Sequence, residues 1–255
     1  MVISRQHKYV FVEIPLTGSW AIRNELVEFY DGRPILHKHA TYEEFAKQAD
    51  EHERAYFAFA TVRNPLDEAV SRYFKLKTDH HGAFTDLEAL RGLKSDVADQ
   101  QKYAFVHGQD ASFEAYFQHF RRRPFNNMLA VSEDGLDYVM RFEDLQAEFR
   151  RVLGRLGLEA VRPVPVQNKT AQRRADWRSY YTPAIIPQAK RQFGPFMRKW
   201  DYVFPEEWGE SKVDWPSELR FWAWSAGQRA YIRHVRYNQS ALGKIGRALR
   251  ARLIR

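Results

Sequence analysis

Two turns in the sequence, each between an apolar run and a helical pattern, have polar residues suited to binding phosphate. The first lies in VFVEIPLTGSW at 10–20, where an apolar run leads through Thr17-Gly18-Ser19 into a helical pattern. Backbone N–H groups at such a helix start attract an anion, Thr17 and Ser19 add hydroxyl donors, and Gly18 permits close approach. The spacing differs from that of a Walker A loop, and an ordinary turn with Ser19 as N-cap is the alternative.

The second turn, Arg63-Asn64-Pro65, follows the apolar run YFAFATV and precedes another helical pattern. Ser71 lies about two helical turns beyond Pro65 and can face the same side as Arg63. A guanidinium and a hydroxyl placed in this way suit a phosphate. The alternative for Arg63 is a salt bridge at the end of a strand.

Two alternating histidines, His37 and His39, flank Lys38 in the segment LHKHATYEEF. Alternate residues of an extended chain point the same way, and an imidazole titrates in the range useful for a general base. The alternative is a solvated loop before a helix capped by Thr41. Glu13 is a weaker candidate for the base, with a salt bridge as its alternative. We expect no metal site, because the neighbouring histidines at 80 and 81 lack further ligands.

Strands and helices alternate along the chain and would position these groups. The predicted strands are 8–14, 35–37, 56–62 and 138–142, and the predicted helices are 19–30, 41–53, 66–77, 113–120, 143–156 and 183–193. This alternation predicts an α/β fold with a parallel sheet, which binds ligands at the C-terminal ends of its strands. Both turns follow such strand ends.

The composition is that of an ordered, basic chain without cysteine. Hydrophobic residues make up 44% of the 255 residues, so one large domain with a substantial core is expected. The absence of cysteine excludes disulfides, zinc–thiolate sites and cysteine nucleophiles. No apolar run is long enough for a signal-peptide core or for the ~20 residues of a membrane span, so we expect a cytoplasmic protein.

The formal net charge of +8 predicts polyanionic partners. Nucleic acid is not expected to be one of them, since the sequence has no recognisable DNA- or RNA-binding motif. No acidic residue follows Glu218, and the tail ALGKIGRALRARLIR at 241–255 has leucines and isoleucine at helical spacing among basic residues. This tail predicts either a helix lying on an anionic membrane or a helix packed on the domain with a solvated basic face.

FVEIPLTGSW and TVRNPLDEAVSRYF together resemble the two nucleotide signatures of the sulfotransferases that use 3′-phosphoadenosine-5′-phosphosulfate (PAPS). The intervening LHKHATYEEF is similar to the His-x-His-x-x-Tyr-x-x-Phe segment of the carbohydrate branch, which includes the uronosyl 2-O-sulfotransferases. Similarity continues through PFNNM, YVMRFEDL, VQNKTAQRR and WDYVFP, and it covers most of residues 8–205. The resemblance implies a three-layer, P-loop-like parallel sheet flanked by helices, with 1–205 as the sulfotransferase domain and 206–255 as a C-terminal helical extension.

The resemblance also implies transfer of a sulfuryl group from PAPS to a hydroxyl of a glycan or lipid-linked glycan. The first turn would hold the 5′-phosphosulfate, Arg63 and Ser71 the 3′-phosphate, and a later loop would close over the nucleotide. The implied nucleotide-binding residues are Leu16, Thr17, Gly18, Ser19, Trp20, Arg63, Ser71, Lys169 and Arg173. The implied base is His39, with His37 beside it to orient or replace it.

The sequence departs from the family pattern at Leu16 and Trp20. Family members usually have lysine at the first position, where it contacts the oxygen bridging sulfur and phosphorus, and a small hydroxyl residue at the second. Loss of such a cation costs on the order of 10²–10³-fold in rate. Lys38 and Arg23 are the candidates to replace it. The departure therefore predicts either a relocated cation or a weakly active or inactive protein that binds nucleotide or glycan.

Overall fold

The computed structural model describes residues 1–85, 97–127, 129–166, 170–210, 212–232 and 234. The predictions for Lys169 and for the tail at 241–255 lie outside these residues. The chain divides into two compact units. The first unit comprises Met1–Asn64 and Asn126–Lys169, and the second comprises Pro65–Phe125 and Thr170–Arg255. The proposed boundary after residue 205 stays a prediction.

The first unit contains an open five-stranded sheet with the strand order β3-β1-β2-β4-β5. Its strands are β1 (Val2–Ser4), β2 (Tyr9–Val12), β3 (Arg33–Pro34), β4 (Phe57–Val62) and β5 (Tyr138–Arg141). The prediction of a parallel sheet is correct for β2, β4 and β5. It is wrong for β1, which pairs antiparallel with both β2 and β3. The four residues between β1 and β2 allow only a hairpin between these two strands.

The structure adds one strand and corrects the position of another. The apolar run of β1 is too short to be recognised from its periodicity, so this strand was not predicted. The predicted strand at 35–37 is wrong, since the strand is Arg33–Pro34 and Leu36 has a φ of 56°, which is incompatible with extended backbone.

The helices that the structure describes largely confirm the predicted pattern. They are α1 (Ser19–Phe29), α2 (Tyr42–Ala46), α3 (Glu51–Arg54), α4 (Pro65–Lys77), α5 (Val97–Tyr103), α6 (Phe113–Phe120), α7 (Leu129–Ser132), α8 (Leu145–Arg155), α9 (Ile186–Lys199) and α10 (Trp215–Tyr231). Thr41 caps α2 as predicted, in a capping box with Glu44. The single helix predicted for 41–53 is two helices, because Asp50 caps a new start at α3.

Helices α1 and α8 pack on the sheet of the first unit. Phe11 of β2 and Phe59 of β4 are fully buried, with ring centroids 5.1 Å apart, and Ile22 and Phe149 bring the two helices into the same core. Burying a side chain of this size contributes about 1.5–3 kcal/mol. This packing fixes the ends of β2 and β4, from which the two turns emerge.

The second unit is built around aromatic side chains of α4, α6 and α9. Phe117 lies 5.8 Å from Phe193 between ring centroids, and Phe113 lies 5.5 Å from Tyr73. The Tyr181 hydroxyl donates to the carbonyl of Leu66 at 2.9 Å, which ties the segment before α9 to the first turn of α4. None of the helices described has the length and apolarity of a membrane span.

Candidate functional site

The first turn passes from β2 into α1 through two residues in the left-handed conformation. Leu16 has a φ of 64° and Gly18 a φ of 77°, while Thr17 between them has a negative φ. Gly18 also packs closely, because a Cβ at this position would lie 2.8 Å from the ring of Phe142. Gly18 rather than Ser19 is the N-cap residue of α1, and no side chain caps this helix. The alternative with Ser19 as N-cap is therefore wrong.

The hydroxyl groups of this turn are used within it. Thr17 and Ser19 are buried, and each donates to the carbonyl of Ile14 at 2.8 Å; Thr17 also contacts the hydroxyl of Thr61. The backbone N–H groups of residues 16–20 have no acceptor in the described part of the chain. N–H groups that converge where the handedness of the backbone alternates form a concave anion-binding nest. The turn thus has this donor set at the positive end of α1.

Arg63 stabilises the first turn from the end of β4. Its Nη1 donates to the carbonyl of Leu16 at 3.0 Å, and its guanidinium carbon lies 4.2 Å from the centroid of the Phe142 ring. The side chain is largely buried. The contact holds Leu16 in its left-handed conformation and places a permanent positive charge at the turn.

Ser71 and Arg173 lie together in the second unit, although they are 102 positions apart in the chain. Ser71 is buried in α4, and Arg173 donates to its hydroxyl oxygen and to the carboxylate of Asp67, one turn earlier in the same helix. The structure therefore brings together these two predicted nucleotide-binding residues. Arg63, the other residue predicted at the 3′-phosphate, belongs to the first unit.

His39 has a defined tautomer. Its Nδ1 lies 2.8 Å from the backbone carbonyl of Glu13, and a carbonyl only accepts, so Nδ1 carries the proton. Nε2 has no hydrogen-bond partner among the residues that the structure describes. Burial lowers the pKa of His39, and the charge of Lys38 lowers it further, while the bond to Glu13 acts in the opposite direction. A neutral ring with a lone pair on Nε2 follows at neutral pH.

The ring of His37 has different contacts from that of His39. Its Nδ1 lies 2.9 Å from the carbonyl of Lys38, and its Nε2 lies 2.8 Å from the carboxylate of Glu44. Both ring nitrogens are therefore occupied by oxygen atoms of the protein, and neither is open to an acceptor hydroxyl. Glu44 in turn accepts from the backbone and hydroxyl of Thr41. His37 thus anchors the loop to the start of α2.

The carboxylate of Glu13 is buried at the end of β2 and forms a salt bridge. Its Oε1 lies 3.7 Å from Nε of Arg23. The salt-bridge alternative for Glu13 is confirmed. Its backbone carbonyl, rather than its carboxylate, contributes to the site by orienting His39.

Two cationic side chains lie near the ring of Trp20 at the start of α1. Its ring is partly exposed, with Nζ of Lys38 4.7 Å and Cζ of Arg23 5.2 Å from the ring centroid. Arg23 is already paired with Glu13, whereas Lys38 is exposed and has no carboxylate partner in the described ranges. Lys38 is therefore the cation beside the nest that a ligand can engage.

Sequence reasoning missed two residues that shape this site. Glu44 was detectable, because Thr41-x-x-Glu44 is a capping-box pattern and the same carboxylate holds His37. The strand predicted for 138–142 includes Phe142, but β5 ends at Arg141. The ring of Phe142 instead packs against Gly18 and the guanidinium of Arg63. No local sequence pattern predicts that the ring of Phe142 packs against Gly18 and Arg63.

Comparison with known proteins gives one match. A family model described as the sulfotransferase family matches residues 1–194, a range that includes both turns and the loop with the two histidines. No curated protein and no solved structure matches the chain.

Proposed function

The chain belongs to the sulfotransferase family, and on this premise we propose that it transfers a sulfuryl group from PAPS to a hydroxyl group of a carbohydrate. The observation that carries the proposal is the tautomer of His39. A half-buried, neutral imidazole with its proton on Nδ1 presents Nε2 as a base, and the carbonyl that holds it belongs to Glu13, just before the turn.

The first turn suits the anionic phosphosulfate end of PAPS. The N–H groups of residues 16–20 lack acceptors in the described chain, and no acidic side chain caps α1 or lies in its first turn. A sulfate or phosphate oxygen satisfies such donors and is favoured by the helix dipole. Because the donors belong to the backbone, the replacement of the family lysine by Leu16 does not remove them.

The reaction places two demands on this site. The acceptor oxygen bonds to sulfur, the bond from sulfur to the bridging phosphate oxygen breaks, and adenosine 3′,5′-bisphosphate and one proton are released. Nε2 of His39 takes the proton, and the hydrogen bond from Nδ1 to Glu13 stabilises the resulting imidazolium. Nζ of Lys38, held against the face of Trp20, supplies positive charge for the phosphate oxygen that becomes anionic.

A second candidate function is binding of nucleotide or glycan with little or no transfer. Leu16 places an apolar side chain where the family has a cation, and Lys38 sits on an exposed loop. If Lys38 does not reach the leaving oxygen, the nest still binds the nucleotide and the chemical step is slow.

Two measurements separate these functions. Calorimetry with adenosine 3′,5′-bisphosphate should show binding, and a panel of glycans with labelled PAPS should reveal an acceptor that becomes labelled. Arg63→Ala and Ser71→Ala should each weaken the bisphosphate by about tenfold, since each removes a hydrogen bond to a charged group. Arg33→Ala, which removes an exposed arginine of the first unit, is the matched control and should bind as the wild type does.

Binding without transfer to any glycan would support the second candidate. Absence of bisphosphate binding by the wild type would overturn both.

A further inference from the structure

Four arginines line one pocket of the second unit. The pocket has a volume of ≈ 370 Å³ and lies where the end of α6 and the chain after it meet α9 and α10. Its arginines are Arg121, Arg122, Arg191 and Arg220. None of the residues predicted for the reaction lines it.

The charge of these arginines is largely uncompensated. Within the described residues none of the four has a carboxylate at ion-pair distance. Partial compensation comes from Asp214, which caps α10 by accepting from the N–H of Ser217 at 2.7 Å. Hydrogen bonds from Ser217 lower the pKa of Asp214, and the charges of Arg191 and Arg220 lower it further. One carboxylate thus interacts with two of the four guanidinium groups, and the mutual repulsion of the arginines is relieved when an anion enters.

The remaining polar lining consists of amide and hydroxyl groups, contributed by three glutamines and Ser217. Gln188 donates to the carbonyls of Phe117 and Arg121, which anchors the end of α6 against α9. Gln192 donates to the carbonyl of Arg123 at 2.9 Å, but its buried Oε1 accepts from no group in the described chain. A buried acceptor without a donor is costly, and a ligand hydroxyl is the kind of group that satisfies it.

We propose that this pocket binds an acidic glycan through its carboxylate or sulfate groups. The planar guanidinium groups pair with either anion through two parallel hydrogen bonds, and the amides and Ser217 suit the hydroxyls of a sugar. Sites for single-stranded nucleic acid stack bases on aromatic rings, and no aromatic ring is among the pocket's lining residues. The inference rests on the proposed function in one respect, that the bound glycan is the acceptor. Binding of the glycan to the pocket does not itself require sulfuryl transfer.

The test measures binding by the full chain to three fluorescent hexasaccharides at about 150 mM salt, where weak surface attraction is screened. A heparin hexasaccharide offers sulfate and carboxylate, a polygalacturonate hexamer offers carboxylate alone, and a neutral glucan hexamer offers neither. The variant Arg191→Ala with Arg220→Ala should bind the acidic sugars at least about tenfold more weakly. Its affinity for adenosine 3′,5′-bisphosphate should be unchanged. Because both side chains are exposed, the thermal midpoint should also be unchanged.

The matched control is Arg252→Ala with Arg255→Ala, which removes the same net charge from the C-terminal tail. It should retain sugar affinity within about twofold, as expected when only general attraction is reduced. Equal loss in the two double variants, or no saturable binding to either acidic sugar, would overturn the pocket. Tighter binding of a single-stranded oligonucleotide of equal charge would overturn the glycan class. If the proposed function is wrong, bisphosphate binding or sulfuryl transfer will be absent while binding of the acidic sugars remains intact.

Discussion

At the scale of single residues, His37 and His39 differ in what their ring nitrogens contact. Replacing His39 with alanine should lower transfer by about 10²–10⁴-fold, the usual contribution of a general base, and leave bisphosphate affinity within about twofold. His37→Ala should retain most of the activity, because both of its ring nitrogens are already occupied by protein oxygens. Steady-state kinetics and calorimetry measure the two effects. An inactive His37→Ala with an active His39→Ala would assign the base to the other ring.

The pH profile follows from the same environment. Burial lowers the pKa of His39 below its ordinary value of 6.5. Protonation removes the lone pair, so kcat/KM should be constant near pH 7 and fall as the pH falls through the lowered pKa, on a limb below pH 6.5. Since the charge of Lys38 contributes to the lowering, Lys38→Ala should move this limb to higher pH. A wild-type limb above pH 6.5 would mean that another group titrates.

Trp20 and Lys38 should act as a pair. Lys38→Ala should lower kcat by about 10²-fold if Nζ stabilises the leaving oxygen. Trp20→Ala should lower it by about tenfold through loss of the cation–π contact, and it should have little further effect when Lys38 is already absent. Val27→Ala, another partly exposed apolar side chain of α1, is the control. Additive losses would show that the two side chains act independently.

At the scale of elements, the backbone turn between β2 and α1 depends on Gly18. Alanine at this position combines a φ of 77° with a Cβ 2.8 Å from the Phe142 ring, so Gly18→Ala should destabilise the protein by about 1–3 kcal/mol and weaken bisphosphate binding. Gly154→Ala is the control, because this glycine lies inside α8 with nothing within 4 Å of the added Cβ. It should stabilise the helix by about 0.5–1 kcal/mol. Denaturant unfolding of both variants checks the two signs, and unchanged stability of Gly18→Ala would contradict a strained turn.

At the scale of the whole molecule, the basic residues at the end of the sequence predict binding to a membrane surface. We propose that the tail at 241–255, which lies outside the described residues, attaches a cytoplasmic protein to anionic lipid at about 1 kcal/mol per basic residue near the surface. The full chain should co-float with vesicles containing phosphatidylserine at low salt, and a chain ending at Ser240 should not. Equal flotation of both would place the contact elsewhere on the protein, and flotation of neither would favour a water-soluble acceptor.

Local patterns in the sequence determined much of the framework. The strands β2, β4 and β5, the helices α1 and α4, and the cap at Thr41 follow from apolar periodicity and capping, which depend on neighbouring residues. The same locality explains the errors. A strand as short as β1 has no detectable period, and no pattern of neighbouring residues predicts the left-handed φ of Leu36.

Only the tertiary structure decided the state of each group in the site. The proton on Nδ1 of His39 depends on a carbonyl 26 positions away, and the conformation of Leu16 depends on a guanidinium 47 positions away. Three segments of the second unit line the arginine pocket, and no periodic pattern in the sequence relates their charged residues. Hydrogen-bond donors and acceptors are matched by distance in space, and the packing of α1 and α8 on the sheet brings those of the turn and the histidine loop together.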